Sequence, residues 1–267
     1  MLDFSAIDQQ ARRVLLFRFA LIATGSAALA VAAGFLFGWP FIVRIWPFPN
    51  YGLSPIFVAS IFAAIGAPVI WIGLSAEFAA LRGGAANICL TAGGIAAYCL
   101  WRSWGTPGSP LQMFGIGNLS AAMIAFVLFF ASRGLGWSSE RPMPAPVRWS
   151  FVGFAVVLFA VGGALLWRLD VFPWPLERDT SAVYGCFFVG SAVYFVAGVL
   201  QPVWANAKGQ LIGFLAYDLV LILPFARLWP VAPSISLAVY LTVIIYSAAL
   251  AIWYLLFAPS WRLLRPA

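Results

Sequence analysis

An aspartate stands alone in "AYDLVLILPF", residues 216–225, a stretch otherwise suited to hydrocarbon. Nine residues separate Asp218 from Gly209 and nine from Arg227, about 14 Å each way at ~1.5 Å per residue. The carboxyl therefore falls near the middle of a bilayer, where inserting a charge costs roughly 2.5–3.5 kcal/mol. Such a group must meet protein, water or a partner. It could exchange a proton, hold a cation or accept a hydrogen bond from a substrate. The plainer alternative is a carboxyl satisfied by Ser, Thr, Tyr or Asn on a neighbouring helix. The candidate intramembrane polar site is accordingly Asp218, Tyr217, Asn87, Thr91, Asn118 and Ser247, with Ser120 and Tyr246 nearby in sequence depth. No basic residue lies at matching depth, so the residue types do not suggest an ion pair.

A second group of chemically capable residues lies in two loops, "GWPFIVRIWPFPNYG" and "LWRLDVFPWPLERDT". Their Trp and Phe residues suit a belt at the lipid head groups. With the acids of the second loop they also make a candidate outer-loop binding surface: Trp46, Trp174, Asp170, Glu177 and Asp179. Glu177 and Asp179 could form a general acid and base pair. They stand two apart on a Pro-flanked loop with no motif around them, so the chain is read as not an enzyme. Glu77 and Arg82 read as an interfacial pair.

Histidine is absent, and Cys89, Cys99 and Cys186 sit in apolar runs without CxxC spacing. The usual ligands of haem, copper and zinc are therefore missing, and neither a metal site nor a cofactor is expected. The cysteines read as small packing residues.

The elements that must position these residues follow from composition. Of 267 residues, 64% are hydrophobic and only 9% charged, against about a quarter charged in soluble domains. The mean hydropathy is +0.98. The fold class is all-α, a polytopic membrane protein. Apolar runs long enough to span, which takes about 20 residues, lie near 14–37, 53–76, 84–102, 114–132, 148–169, 181–203, 209–227 and 233–258. The first is read as a span and not as a cleaved leader, because it is long and has a counterpart later in the chain. The short links 77–84 and 204–209 predict two tight helical hairpins. Gly209, Gly213 and Ala216 form a small-residue seam, and Asp218 points nearly opposite to Gly209 on a regular helix.

Ten Lys or Arg residues fall on one side of these spans: Arg12, Arg13, Arg18, Arg82, Arg133, Arg141, Arg148, Lys208, Arg262 and Arg265. The other side holds five: Arg44, Arg102, Arg168, Arg178 and Arg227. The richer side should face the cytoplasm, with both termini, in a cell (plasma or inner) membrane. The net charge of +7 then reflects topology and anionic lipid, and not nucleic acid, for which no basic stripe exists. Expected partners are the lipid bilayer and, within it, a second copy or another membrane protein.

The chain also overlays on itself. A shift of 126 places Pro47 and Pro49 on Pro173 and Pro175, and Ala79, Arg82 and Gly83 on Ala205, Lys208 and Gly209. A shift of 127 aligns "LSAAMIAFVLFFA" from Leu119 with "YSAALAIWYLLFA" from Tyr246. Four spans per copy is an even number, so the copies would enter the membrane in the same direction, related by an axis along its normal. The expected organisation is two parallel four-helix repeats, residues 1–135 and 136–267. Under this register Asp218 corresponds to Ala92. Repetition therefore does not account for the acid, and a specific role is left open to it. The expected function is a small transporter or channel-like protein with a polar site at the repeat interface. The alternative is a non-catalytic membrane subunit or scaffold that binds a partner or lipid through its aromatic outer loops.

Overall fold

The computed structural model describes residues 4–49, 51–259 and 261; Arg262 and Arg265, counted above on the basic side, and Asn50 of the first outer loop lie outside the described residues. The described chain is helical, with no strand and one isolated bridge between Pro142 and Val203. Its elements are α1 (Phe4–Leu36), a single turn α2 (Pro40–Val43), α3 (Ser54–Ser75), α4 (Leu81–Arg102), α5 (Pro110–Ser132), α6 (Ala145–Leu166), α7 (Arg178–Leu200), α8 (Trp204–Leu228) and α9 (Ile235–Ile252). A 3₁₀ turn, Phe78–Ala80, leads into α4, and a π turn, Trp253–Phe257, continues α9. Eight of these helices are long and apolar enough to cross a membrane. Their bounds differ from the expected ones by a few residues.

Local chemistry sets the ends. The Ser109 hydroxyl accepts from the Gln112 amide at 3.3 Å and Pro110 occupies the first turn of α5. Ser234 caps α9 through the Leu237 amide at 3.1 Å. Each side chain satisfies one of the amides that a helix start leaves open, and proline suits a position whose amide has no intrahelical partner. α3 stops where Ala76 turns left-handed at φ 59°. Two arginines of the basic side serve helix ends. Arg18 donates to the carbonyls of Gly73 and Leu74 at 2.8 and 2.7 Å. Arg82 donates to those of Ser132, Arg133 and Leu135 at 2.9–3.2 Å. A cation at a helix C-terminus offsets the partial negative charge of the last carbonyls. Arg82 therefore does not pair with Glu77, as expected from sequence; the Glu77 carboxylate accepts instead from the amide and hydroxyl of Ser138.

Helix pairing departs from chain order. α1 lies along α3, α6 along α7, α4 along α5 and α8 along α9; between these pairs α3 meets α8 and α4 meets α7. The short links after α3 and α7 do not produce side-by-side hairpins, because α3 touches α4 little and α7 touches α8 little. Among lipids there is little hydrophobic gain in packing helices, so close backbone approach decides which pairs form, and glycine provides it here. A Cβ on Gly83 would lie 3.2 Å from the Tyr194 ring of α7, one on Gly209 3.1 Å from Trp71 of α3, and one on Gly213 2.9 Å from the Ala64 carbonyl of α3.

The Pro-x-Pro loops enter the core. Trp46, Phe48, Phe172 and Trp174 are all buried, in one cluster with Phe57, Tyr184 and Phe225. This corrects the head-group belt expected for these residues. A residue before proline is held extended, and alternate residues of an extended stretch share a face. In "WPFP" and "FPWP" the aromatics therefore turn inward together.

Candidate functional site

Asp218 is completely buried. Gly209 and Gly213 of the same helix face α3, while Asp218 turns the other way to α9, where its Oδ2 accepts from the Ser247 hydroxyl at 2.5 Å. The same hydroxyl lies 3.2 Å from the Ile244 carbonyl. Oδ1 has no protein hydrogen-bond partner. Beside the acid in sequence, Tyr217 also reaches α9, with its hydroxyl hydrogen-bonded to that of Tyr240. Two polar links thus tie α8 to α9.

The other expected residues separate into two places. Asn118 donates to the Phe114 carbonyl of its own helix at 2.9 Å, a local use of the side chain. Asn87 and Thr91 lie on α4, where the Thr91 hydroxyl donates to Asn87 Oδ1 at 3.0 Å. They occupy a notch in α7: a Cβ on Gly190 would fall 1.8 Å from Thr91 Oγ1 and 2.6 Å from Asn87 Oδ1.

Asn87, Thr91 and Tyr217 share a cavity of about 430 Å³ walled by α3, α4, α6, α7, α8 and α9. This is within the range of small-molecule sites, roughly 300–1,000 Å³. Asp218 does not border it, although Tyr217 and Ile244 beside the acid and its serine do. Most of the wall is aliphatic or aromatic, with polar side chains from Asn87, Thr91, Ser191, Tyr194, Tyr217, Ser236 and Tyr240, and no charged residue. Ser191, Tyr194 and Tyr240 were not anticipated from sequence. The one available signal was that α7 and α9 carry hydroxyls in otherwise apolar runs, which does not indicate which way they point.

No protein family, curated protein or solved structure matches this chain.

The five outer-loop residues are not gathered into one surface. Trp46 and Trp174 are buried. Trp174 Nε1 donates to the Ser54 hydroxyl at 3.2 Å, whereas Trp46 Nε1 has no partner. Asp170 is exposed, and Glu177 shares a shallow hollow with Tyr51, Gly52 and one side of Trp174. Asp179 accepts from the Tyr98 hydroxyl at 2.6 Å and from Arg102 Nε at 3.3 Å. It fastens the start of α7 to the end of α4. This accounts for Asp179 without assigning it a part in acid–base chemistry.

Among the described residues no group of three His, Cys, Asp or Glu side chains is placed to hold a metal ion.

Proposed function

We propose that the protein is a small transporter or channel-like membrane protein, built from parallel four-helix halves at residues 1–135 and 136–267, with the cavity between them as its binding site. The observation that carries this reading is that the cavity draws its wall from both halves. Under the 126-residue register, both members of the pairs Ile61 and Phe187, Ile65 and Ser191, Asn87 and Gly213, and Thr91 and Tyr217 border it. The interface between repeats is where transporters of this kind hold substrate. The helix pairing supports the same register. The α1–α3 contact corresponds to α6–α7, α4–α5 to α8–α9, and α3–α8 to α4–α7. The ten-to-five distribution of basic residues supports cytoplasmic termini.

In this reading the site residues are Asn87, Thr91, Ser191, Tyr194, Tyr217 and Tyr240, and Asp218 with Ser247 fixes α9 against α8 behind them. A second reading, a non-catalytic subunit or scaffold, is favoured by one observation: the acid at mid-membrane depth is enclosed and walled from the cavity.

Aqueous access separates the two. With Cys89, Cys99 and Cys186 replaced by alanine, Ser191→Cys in sealed liposomes is challenged with a membrane-impermeant thiosulfonate from each side. The transporter reading expects modification from at least one side. Complete protection from both sides would favour the scaffold.

A further inference from the structure

Exposed lining residues of the cavity, Val157 of α6 and Ile235 and Val239 of α9, flank the space between two helices that do not pack along each other. α9 is linked to α6 at Ser150 and Phe154, both of which meet Tyr246, and to the loop after α6 at Val171. The Ser150 and Tyr246 hydroxyls meet at 2.7 Å, and the Ser236 hydroxyl donates to the Val171 carbonyl at 2.5 Å. Between those links the cavity is edged by Val157 and Val161 of α6 and by Val239 and Val243 of α9. Val157 is 41% exposed and Val239 55%. Both helices are membrane spans, so the gap faces hydrocarbon and not water.

Opposite this opening the wall changes character. Asn87, Ser191 and Tyr194 line the cavity, and the Asn87 amide nitrogen and the Ser191 and Tyr194 hydroxyls have no hydrogen-bond acceptor among the described residues. Tyr217 and Tyr240, by contrast, are engaged with each other. The site thus offers three donors on α4 and α7, hydrocarbon walls elsewhere, and neither cation nor carboxylate. A charged occupant would lose its hydration with no counter-charge in return, a cost of several kcal/mol or more. An occupant without an acceptor would leave the donors unmatched.

We propose that the cavity takes a neutral, largely hydrocarbon molecule carrying a carbonyl-type oxygen, received from the bilayer through the gap between α6 and α9. The oxygen faces Asn87, Ser191 and Tyr194, and the hydrocarbon lies along α6 and α9. This rests on the reading of the cavity as the binding site and names its ligand class.

The test uses 4-octylbenzophenone, a neutral ketone that cross-links on irradiation, in liposomes containing the full chain. Cross-links form at the ketone and are expected on the cavity faces of α4 and α7, saturating with probe. Val239→Trp, a change on a lipid-facing residue that the fold should tolerate, is expected to lower that labelling about tenfold by narrowing the gap. Ser191→Ala with Tyr194→Phe should raise the half-saturating probe fraction about tenfold, equivalent to ~1.4 kcal/mol. The oxygen-free analogue 4-octyldiphenylmethane should compete at least tenfold less well than unirradiated ketone. Labelling spread evenly over the lipid-facing helices, or equal competition by the hydrocarbon, would overturn the proposal. The two readings fail separately. Saturable labelling, with the thiol of the Ser191→Cys variant protected from aqueous reagent, would sink transport and leave the ligand class standing. Aqueous modification of that thiol without saturable labelling would do the reverse.

Discussion

The crossing of α4 on α7 and the crossing of α3 on α8 occupy corresponding places under the 126-residue shift, yet they distribute side-chain volume in opposite ways. In the first, glycine is on α7: Gly190 makes room for Thr91 and Asn87 of α4. In the second, glycine is on α8: Gly213 makes room for the Ala64 carbonyl and Pro68 of α3. Under that shift Ala64 falls on Gly190 and Asn87 on Gly213, so the two crossings place glycine on opposite partners while both make a close approach. Proline at position 68 cannot donate to the carbonyl four residues earlier, which leaves the Ala64 carbonyl free of that bond where α8 comes nearest. What a crossing of this kind fixes is the space available, and either partner can supply it. The uncommitted donors then collect on α4 and α7, while the Ser236 and Tyr240 hydroxyls of α9 are engaged with Val171 and Tyr217.

The largest expected effects fall on those glycines. Gly190→Ala and Gly213→Ala should each destabilise by about 1–3 kcal/mol through overpacking, measured as loss of folded protein on heating in detergent. Adding Thr91→Ala should recover a substantial part of the Gly190→Ala loss, because a side-chain oxygen is the nearest obstacle. No side-chain change on α3 should rescue Gly213→Ala, whose nearest obstacle is backbone. Equal stability of Gly190→Ala and the unaltered protein would break the comparison.

The next effect concerns the serines that correspond under the 127-residue shift. Ser247 is buried against Asp218, whereas Ser120 is exposed and bonds only to the Ile116 carbonyl of its own helix at 3.1 Å. Ser247→Ala should cost about 1–3 kcal/mol by leaving a buried carboxyl without its partner. Ser120→Ala should stay within ~0.5 kcal/mol. Changing both members of the pair, Asp218→Leu with Ser247→Ala, should cost less than Ser247→Ala alone, because no buried polar atom is then orphaned. Thermal unfolding of the four proteins in one detergent measures all three differences.

The bond arrangement also makes a spectroscopic prediction. Ser247 has one proton and two neighbouring acceptors, Asp218 Oδ2 and the Ile244 carbonyl. Ser247 donates to Oδ2, and no cation among the described residues faces the enclosed carboxyl, so the carboxyl proton is expected on the unpartnered Oδ1. Infrared difference between the protein and Asp218→Asn should show a carboxylic acid band that exchanges slowly with heavy water. A carboxylate band in rapid exchange would place the acid on a hydrated path instead.

The smallest contrast compares the two Pro-x-Pro loops. Trp174→Phe removes a bond to Ser54 and Trp46→Phe removes an indole N–H that has none. Both changes lose aromatic volume, so the useful quantity is their difference. Trp174→Phe should be the more destabilising by about 1 kcal/mol.

How much of this was legible in the sequence can be argued from particular residues. Asp218 is conspicuous by chemistry alone, and the seam of Gly209 and Gly213 announces a close helix contact on the opposite face. That the acid meets Ser247 and not the cavity was not legible, since serine at a given depth has the same sequence signature whether it faces α8, lipid or its own helix. The alternation of aromatics with proline in "WPFP" and "FPWP" was a readable sign that those rings share a face. Which face was buried depended on the helices around them.

The sequence by itself determined the material and the number of helices long and apolar enough to span: in hydrocarbon an unpaired backbone amide or carbonyl is so costly that long apolar runs must become helices. It also determined where helices can approach, because only glycine and other small residues permit it. Tertiary structure alone decided the partners, joining α3 to α8 and α4 to α7 over the chain neighbours suggested by the short links. It decided too that Asn87, Ser191 and Tyr194 line one cavity while Asp218 is sealed behind it. Apolar helices carry almost no lateral hydrophobic preference among lipids, so their rotation and pairing come from the shape fit of distant segments, which no local pattern records.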